Sequence, residues 1–261
     1  MDFKRMRLIP IYWGEWWQPT AGNAYNWTDV NEQMAIVVTG RYMDDLNQYG
    51  IGRGAVDQPY VHLIDPPDEG FTDYNVQWMF RMAIDGGLVF APDQFDLSTD
   101  QPFYCLIVKP GIEHLRDATP DGSVAQGTPD TLTGGYHFGY SYDYGDSQGV
   151  WNGQACWIKS APDIAGTVQR WVHEMAEAYS TGAGEIADKC QNGDPVHVDG
   201  VLVPQYWSAV DNACRPLSDL MAKGGLPVGD APGHVITIQD APTADQSIGR
   251  ALGQPPPHIT E

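Results

Sequence analysis

WVHEMAEAYSTGAGEIADKC, residues 171–190, reads as the end of a helix, a break, and an acidic cluster that follows at once. The helix carries the pattern HExxE. His173 and Glu177 are four residues apart, so they lie one turn above each other on one face. An imidazole and a carboxylate so placed can grip one metal ion. Glu174 stands between them, where the HExxH enzymes carry their general base. The helix is expected to stop at Ser180-Thr181-Gly182, with Glu185, Asp188 and Cys190 just beyond. Either acid can return to the helix face as a third ligand. The same five-residue pattern also arises on an ordinary solvated helix, because Glu and Ala are good helix formers.

Upstream, Asp163 is placed to cap this helix. Ile164, Val168, Trp171, Val172, Met175 and Tyr179 form its apolar stripe, leaving His173, Glu174 and Glu177 off it. Strands are predicted at Arg7–Trp17, Tyr60–Ile64, Phe103–Val108, Tyr136–Tyr144 and Ala155–Ile158, and Glu113–Pro129 reads as a loop. Helices are predicted from an Asn26–Asp29 cap through Met34, Val37, Val38, Tyr42 and Leu46 to a stop before Gly50, and over Thr72–Ala83. Downstream, Val196–Val203 reads as a hairpin turning at Asp199-Gly200. Gln205–Trp207 begins a last strand that leads to Cys214. From Leu217 Gly, Pro, Ala and Asp dominate, and only His234–Ile238 is strand-like. The expected architecture is one α/β domain over residues 1–216. It has a mixed sheet with the HExxE helix packed on it through Trp171, Met175 and Tyr179, and an irregular extension over 217–261.

The chain has 261 residues, 42% of them hydrophobic, enough to bury a core. Lys and Arg total 14 against 34 Asp and Glu, a net charge of −20. That field disfavours nucleic acid and anionic membranes as partners and suits a cationic partner or bound cations. No apolar run approaches the roughly 20 residues that span a bilayer. MDFKRMRLIPIYWG has basic residues but only a short apolar stretch and no small-residue cleavage site, so no signal peptide is seen. A cytoplasmic protein and a mature exported chain both fit. The four cysteines form no CxxC pair, which argues against a zinc knuckle and leaves three disulfide pairings open. Nine Trp and thirteen Tyr are core material first, and the stuff of carbohydrate or peptide grooves second.

HEMAEAYSTGAGEIADKC resembles the HELAE…EIxDxC signature of the EXORDIUM or phosphate-induced proteins and their bacterial and fungal relatives. IPIYWGEWW, FYCLIVKPG, the Gly135-Tyr136-His137 step and QYWSAVDNAC fall in the same order, over roughly residues 7 to 216. The resemblance implies a zincin-like, metalloprotease-like fold, secretion, and a metal near His173, Glu177 and the EIAD segment. It implies no particular substrate. It also implies a Cys190–Cys214 disulfide, around a hairpin-rich stretch, and leaves Cys105 and Cys156 as the remaining pair. One departure matters: relatives often carry a cysteine where this chain has Gly134, so a disulfide from that strand is absent or remade elsewhere.

His173 and Glu177 are thus the expected ligands, with Asp188 preferred as third and Glu185 next. Such a set fits zinc, and also manganese, iron or calcium. His137 either completes the coordination, steadies an oxyanion, or is a strand histidine bonded to backbone. The first function class is a metal-dependent, peptidase-like hydrolase with Glu174 as general base. The second is a secreted interaction or carbohydrate-binding protein with a structural metal, in which Trp13, Trp16 and Trp17 form a stacking platform. A third is a glycoside hydrolase pairing Glu15 with Glu174. The substrate is accordingly a peptide or a polysaccharide.

Overall fold

The computed structural model describes residues 4–116, 127–130, 134–145, 149–180 and 185–218. In chain order the elements are β1 (Lys4–Trp13), α1 (Trp27–Thr39), α2 (Arg41–Asp45), β2 (Ile51–Val56), β3 (Tyr60–His62) and α3 (Asp73–Asp85). Then come β4 (Asp100–Val108), β5 (His114–Arg116), β6 (Thr128–Asp130), β7 (Gly135–Asp143), β8 (Val150–Lys159) and α4 (Ile164–Tyr179). Four short strands follow: β9 (Val196–Val198), β10 (Val201–Val203), β11 (Tyr206–Ser208) and β12 (Ala213–Arg215). No helix among the described residues is long and apolar enough to cross a membrane.

The main sheet is mixed, in the order β2-β1-β4-β8-β7, with β3 also paired to β1. Only β7 runs antiparallel. β1 and β4 have parallel neighbours on both sides and helices on both faces, which is why they read as apolar runs rather than alternations. Pro10 stands in the middle of this central strand although it has no N–H to give. The backbone alternation explains it. Lys4 donates toward β2, to Gly50 O, and Arg5 toward β4, to Thr99 O. The N of Pro10 therefore faces the β2/β3 side, in the gap where β1 changes partner, between Leu8↔Val56 and Ile11↔Tyr60.

Side-chain alternation divides the core between the two faces. Leu8, Tyr12, Phe103, Ile107 and Ile158 pack with α1 and α4 through Met34, Val38, Trp171 and Met175. Ile9, Ile11, Tyr104, Leu106 and Trp157 pack with α3 through Val76, Met79 and Phe80. Asn26 and Asp29 form a capping box on α1, and Thr72 and Asn75 one on α3.

Several sequence expectations are corrected. The helix after Asn26 does not run to Leu46. It breaks at Gly40, because the Asp199 carboxylate takes the Arg41 N–H (2.9 Å) and side chain and occupies the place of a Gly40 Cβ. β2 is a strand that its glycines conceal: a Cβ at Gly54 would lie 1.7 Å from Met6 O, so only glycine fits there. The first strand ends at Trp13, and Glu15–Trp17 form a 3-10 turn. Within Glu113–Pro129, β5 and β6 pair as an antiparallel ladder. Trp13 and Trp17 are buried on opposite faces of the sheet, so the three tryptophans form no stacking platform. Cys105 and Cys156 are free thiols. They sit directly opposite each other on paired strands. Side chains at such a pair leave the same face of the sheet side by side rather than pointing at each other, and the two thiols meet through a hydrogen bond. Cys190 and Cys214 are bonded. Of the extension 217–261, the residues from 219 onward, His234–Ile238 included, lie outside the described residues.

Candidate metal centre

The site begins with α4. Asp163 accepts the Gly166 N–H at 2.7 Å and starts the helix just after β8. Thr167, fully buried, joins that first turn to the Tyr25 hydroxyl (2.9 Å) and the Ala161 N–H (2.9 Å). The second half of α4 then lies close to β7. Gly135 permits this approach, since a Cβ there would stand 3.0 Å from Glu174 Cγ and 2.9 Å from Ile158 Cγ2. The helix ends at Tyr179, with Ser180 as its C-cap; Thr181 and Gly182 lie outside the described residues.

The segment after the helix returns to it. The Asp188 N–H donates to Glu177 Oε1 at 3.1 Å. Ile186 and Ala187 are buried, Ile186 O accepts the Trp207 N–H (2.8 Å), and Cys190 is tied to Cys214. Asp188 is therefore held against α4 by backbone, core and disulfide together.

His173 Nε2 stands 3.4 Å from Glu177 Oε2 and 3.4 Å from Asp188 Oδ1. Two ligands bound at about 2.1 Å by one tetrahedral ion are about 3.4 Å apart. Glu177 Oε2 also lies 3.7 Å from His137 Nδ1. Two overlapping triads result, His173/Glu177/Asp188 and His137/Glu177/Glu185, each with its ligand atoms within 4.8 Å of one another. Glu177 belongs to both. Glu174 is not a member: its Oε2 lies 3.1 Å from His137 Nδ1.

Burial corrects the sequence reading at one point. Glu174 and Glu177 lie off the apolar stripe, yet both are buried, at 8% and 5% exposure. β7 and the returning segment cover that side of the helix. Glu185 is exposed and Asp188 half-exposed, so the open side of the cluster is the side of the acids after the helix.

Electrostatics follow from this crowding. Burial works against a charge on His173, but the hydrogen bond and charge of Glu177, with Glu174 and Asp188, outweigh it and push its pKa up to about 9. Burial likewise opposes ionisation of Glu177, yet His173, Glu185 and His137 hold it down at about 2. Glu185 is pushed up to about 7, by burial and then by its hydrogen bond to Glu177 and the charge there. For Asp188 the shift is also upward, from burial and the Glu177 charge. His137 is raised despite burial, through Glu174 and then Glu177. No Lys or Arg makes an ion pair with Glu174, Glu177, Glu185 or Asp188 among the described residues.

The structure thus brings together His137, His173, Glu174, Glu177, Glu185 and Asp188. It leaves Trp13, Trp16 and Trp17 in the core or at its edge, and it gives Glu15 no contact with Glu174: the Glu15 N–H binds Asp65 Oδ1 (3.0 Å) instead. His137 bonds a carboxylate rather than backbone. That pairing, 37 residues apart in the chain, and the double use of Glu177 had no local sequence signal. Comparison with protein-family models, with curated proteins and with solved structures finds no match to this chain.

Proposed function

We propose that this chain is a metal-dependent, peptidase-like hydrolase built on a zincin-like domain, related to the EXORDIUM group and exported. The observation that carries the reading is the His173/Glu177/Asp188 triad: two distances at the edge length of a tetrahedral site, on acids that no arginine or lysine among the described residues neutralises. The donor set fits a divalent ion, zinc above all, because a neutral imidazole and carboxylates supply its usual ligands at its usual separation. Asp188, half-exposed, leaves the rim open for a substrate. The disulfide beside the site supports export.

In this reading His173, Glu177 and Asp188 hold the ion, which when bound polarises a carbonyl and lowers the pKa of its water. Glu174 takes the proton from the attacking water and passes it to the leaving amine. His137 fixes the orientation of that carboxylate at 3.1 Å and balances its charge. Burial of Glu174 keeps bulk water from competing for it.

The test joins metal analysis with two variants. The protein purified without added metal should contain one divalent ion per chain and cleave unstructured casein. Glu174→Gln should keep the ion and the melting temperature and lose about 10²–10⁴-fold in rate. No stoichiometric ion, with casein uncut, refutes the reading. An ion retained with Glu174→Gln as active as the parent removes Glu174 from its role.

A further inference from the structure

A second site lies at the carboxyl ends of the central strands β1 and β4, and it is independent of the metal reading. The chain leaves β1 toward α1 and α4, whereas it leaves β4 toward the α3 face, where His114 packs on Phe71 and Trp157. The crevice between the carboxyl ends of β1 and β4 is therefore a topological switch point, the place where open parallel sheets receive ligands. A hollow of about 320 Å³ lies there, lined by Glu15, Trp16, Gln18, Asn23, Asp65 and Lys109 among others.

Its construction is specific. Gly14, the residue that ends β1, has φ 119°, and a Cβ there would press on Asp65 Oδ1 (2.8 Å) and Lys109 Cδ (3.1 Å). The glycine lets Asp65 and Lys109 close over the strand end. Lys109 is spent on Asp65, and Asp65 also receives the Glu15 N–H. Glu15 is exposed and its carboxylate is left for a ligand. Trp16, half-buried, is held edge-on by Trp17 (4.8 Å) and Tyr25 (5.1 Å), and its carbonyl is held by Asn23 Nδ2 (2.7 Å). The result is a fixed aromatic wall beside a carboxylate and two amides.

We infer that this hollow binds one ring of a neutral saccharide, which stacks a C–H face on Trp16 and gives its hydroxyls to Glu15 and Gln18. The lining carries one more negative than positive charge, in a chain of net −20, so an anionic ligand is disfavoured. A wholly apolar ligand would leave the carboxylate and the amides without partners. The volume sits at the small end of ligand sites, which suits a single ring with the rest of the glycan outside.

Saturation-transfer NMR on the full chain tests this, with cellotriose, maltotriose and mannotriose as probes and butylamine as the cationic control. At least one trisaccharide should receive transfer on its ring C–H protons, with binding weakened about tenfold or more in Trp16→Ala. Thr20→Trp, on an exposed turn at the rim, should block the hollow without touching the core, and it decides the matter if Trp16→Ala fails to fold. Trp78→Ala, on the exposed face of α3, should bind as the parent does. Transfer to butylamine and to none of the sugars, no transfer at all, or parent-like sugar binding in Thr20→Trp would each overturn the inference.

Discussion

His114 and His173 each stand between two carboxylates, and their surroundings differ. His114 Nε2 lies 3.2 Å from Asp73 Oδ1 and its Nδ1 3.9 Å from Asp130 Oδ2. It stacks on Trp157 at 4.3 Å, Arg116 pairs with Asp130 at 3.0 Å, and Lys159 donates to Asp130 O at 3.1 Å. Arg116 answers the charge of Asp130, Asp73 has the imidazole, and that imidazole is buried at 5% exposure. His173 has Glu177 and Asp188 at 3.4 Å and Glu174 close behind, and among the described residues no arginine or lysine pairs with any of them. The first cluster has an arginine within it and joins the cap of α3 to β5 and β6. The second carries surplus negative charge around ligand-type atoms. A histidine between two acids is therefore not enough to mark a metal site; what separates the two is the neutralising cation.

The largest test of this contrast is deletion of each histidine in turn. His173→Ala should remove the bound divalent ion altogether, read as metal per chain after dialysis, while His114→Ala keeps it. Equal metal content in the two variants breaks the comparison. Next in size, Asp188→Ala should weaken zinc binding by about 100-fold or more in a chelator competition, since loss of a direct ligand exceeds the roughly 10–100-fold range for loss of an outer-shell partner. Glu185→Ala should weaken it less, because Glu185 belongs to the outer triad with His137. The reverse order would move the ion to that triad.

Stability sharpens the same contrast. His114→Ala should destabilise the fold by about 2 kcal/mol, from a lost buried ring and two carboxylates left with fewer partners; urea unfolding reads this directly. A change within error would mean that the cluster contributes nothing to the fold. The smallest effect expected is one of pH. In the metal-free protein His173 titrates at about 9, above the ordinary 6.5. A raised pKa stabilises the fold fully below pH 6.5, and the contribution is lost as pH rises through 9. Discounted for the partial exposure of the ring, this is about 1 kcal/mol, or about 2–4 °C in melting temperature between pH 6.5 and 9 for a chain of this size. The loss should vanish when the site is loaded with zinc, since a bound imidazole is already deprotonated. A pH profile identical with and without zinc would place the ion elsewhere.

Much of this was legible in the sequence, for identifiable reasons. Asn26, Thr72 and Asp163 marked helix starts because capping residues act locally, and the Asp199-Gly200 turn was readable because both residues adopt positive φ. The spacing of His173 and Glu177, and the return of Asp188, followed from helix geometry plus a break. Other features depend on distant atoms. The break at Gly40 is made by Asp199, β2 is defined by contact with Met6, and Glu174 finds its partner on β7. Trp13 and Trp17 misled because an aromatic cluster looks the same in a line of letters whether it faces solvent or two sides of a sheet. The cysteines of β4 and β8 misled because pairing by elimination takes no account of the direction in which side chains leave a sheet.

The Cys190–Cys214 bond spans a sequence separation of 24 residues and encloses both small hairpins, the second of which also binds Ile186 O through the Trp207 N–H. Asp188 hangs just outside the knot of that loop, whereas His173 and Glu177 are fixed by the helix. While the thiols are reduced, two of the three acids and imidazoles of the candidate triad are set and the third is on a leash. Oxidation shortens the leash. If the triad holds a metal, as proposed, loading would then be a late step of maturation, timed by the compartment in which the thiols meet an oxidant rather than by synthesis of the chain.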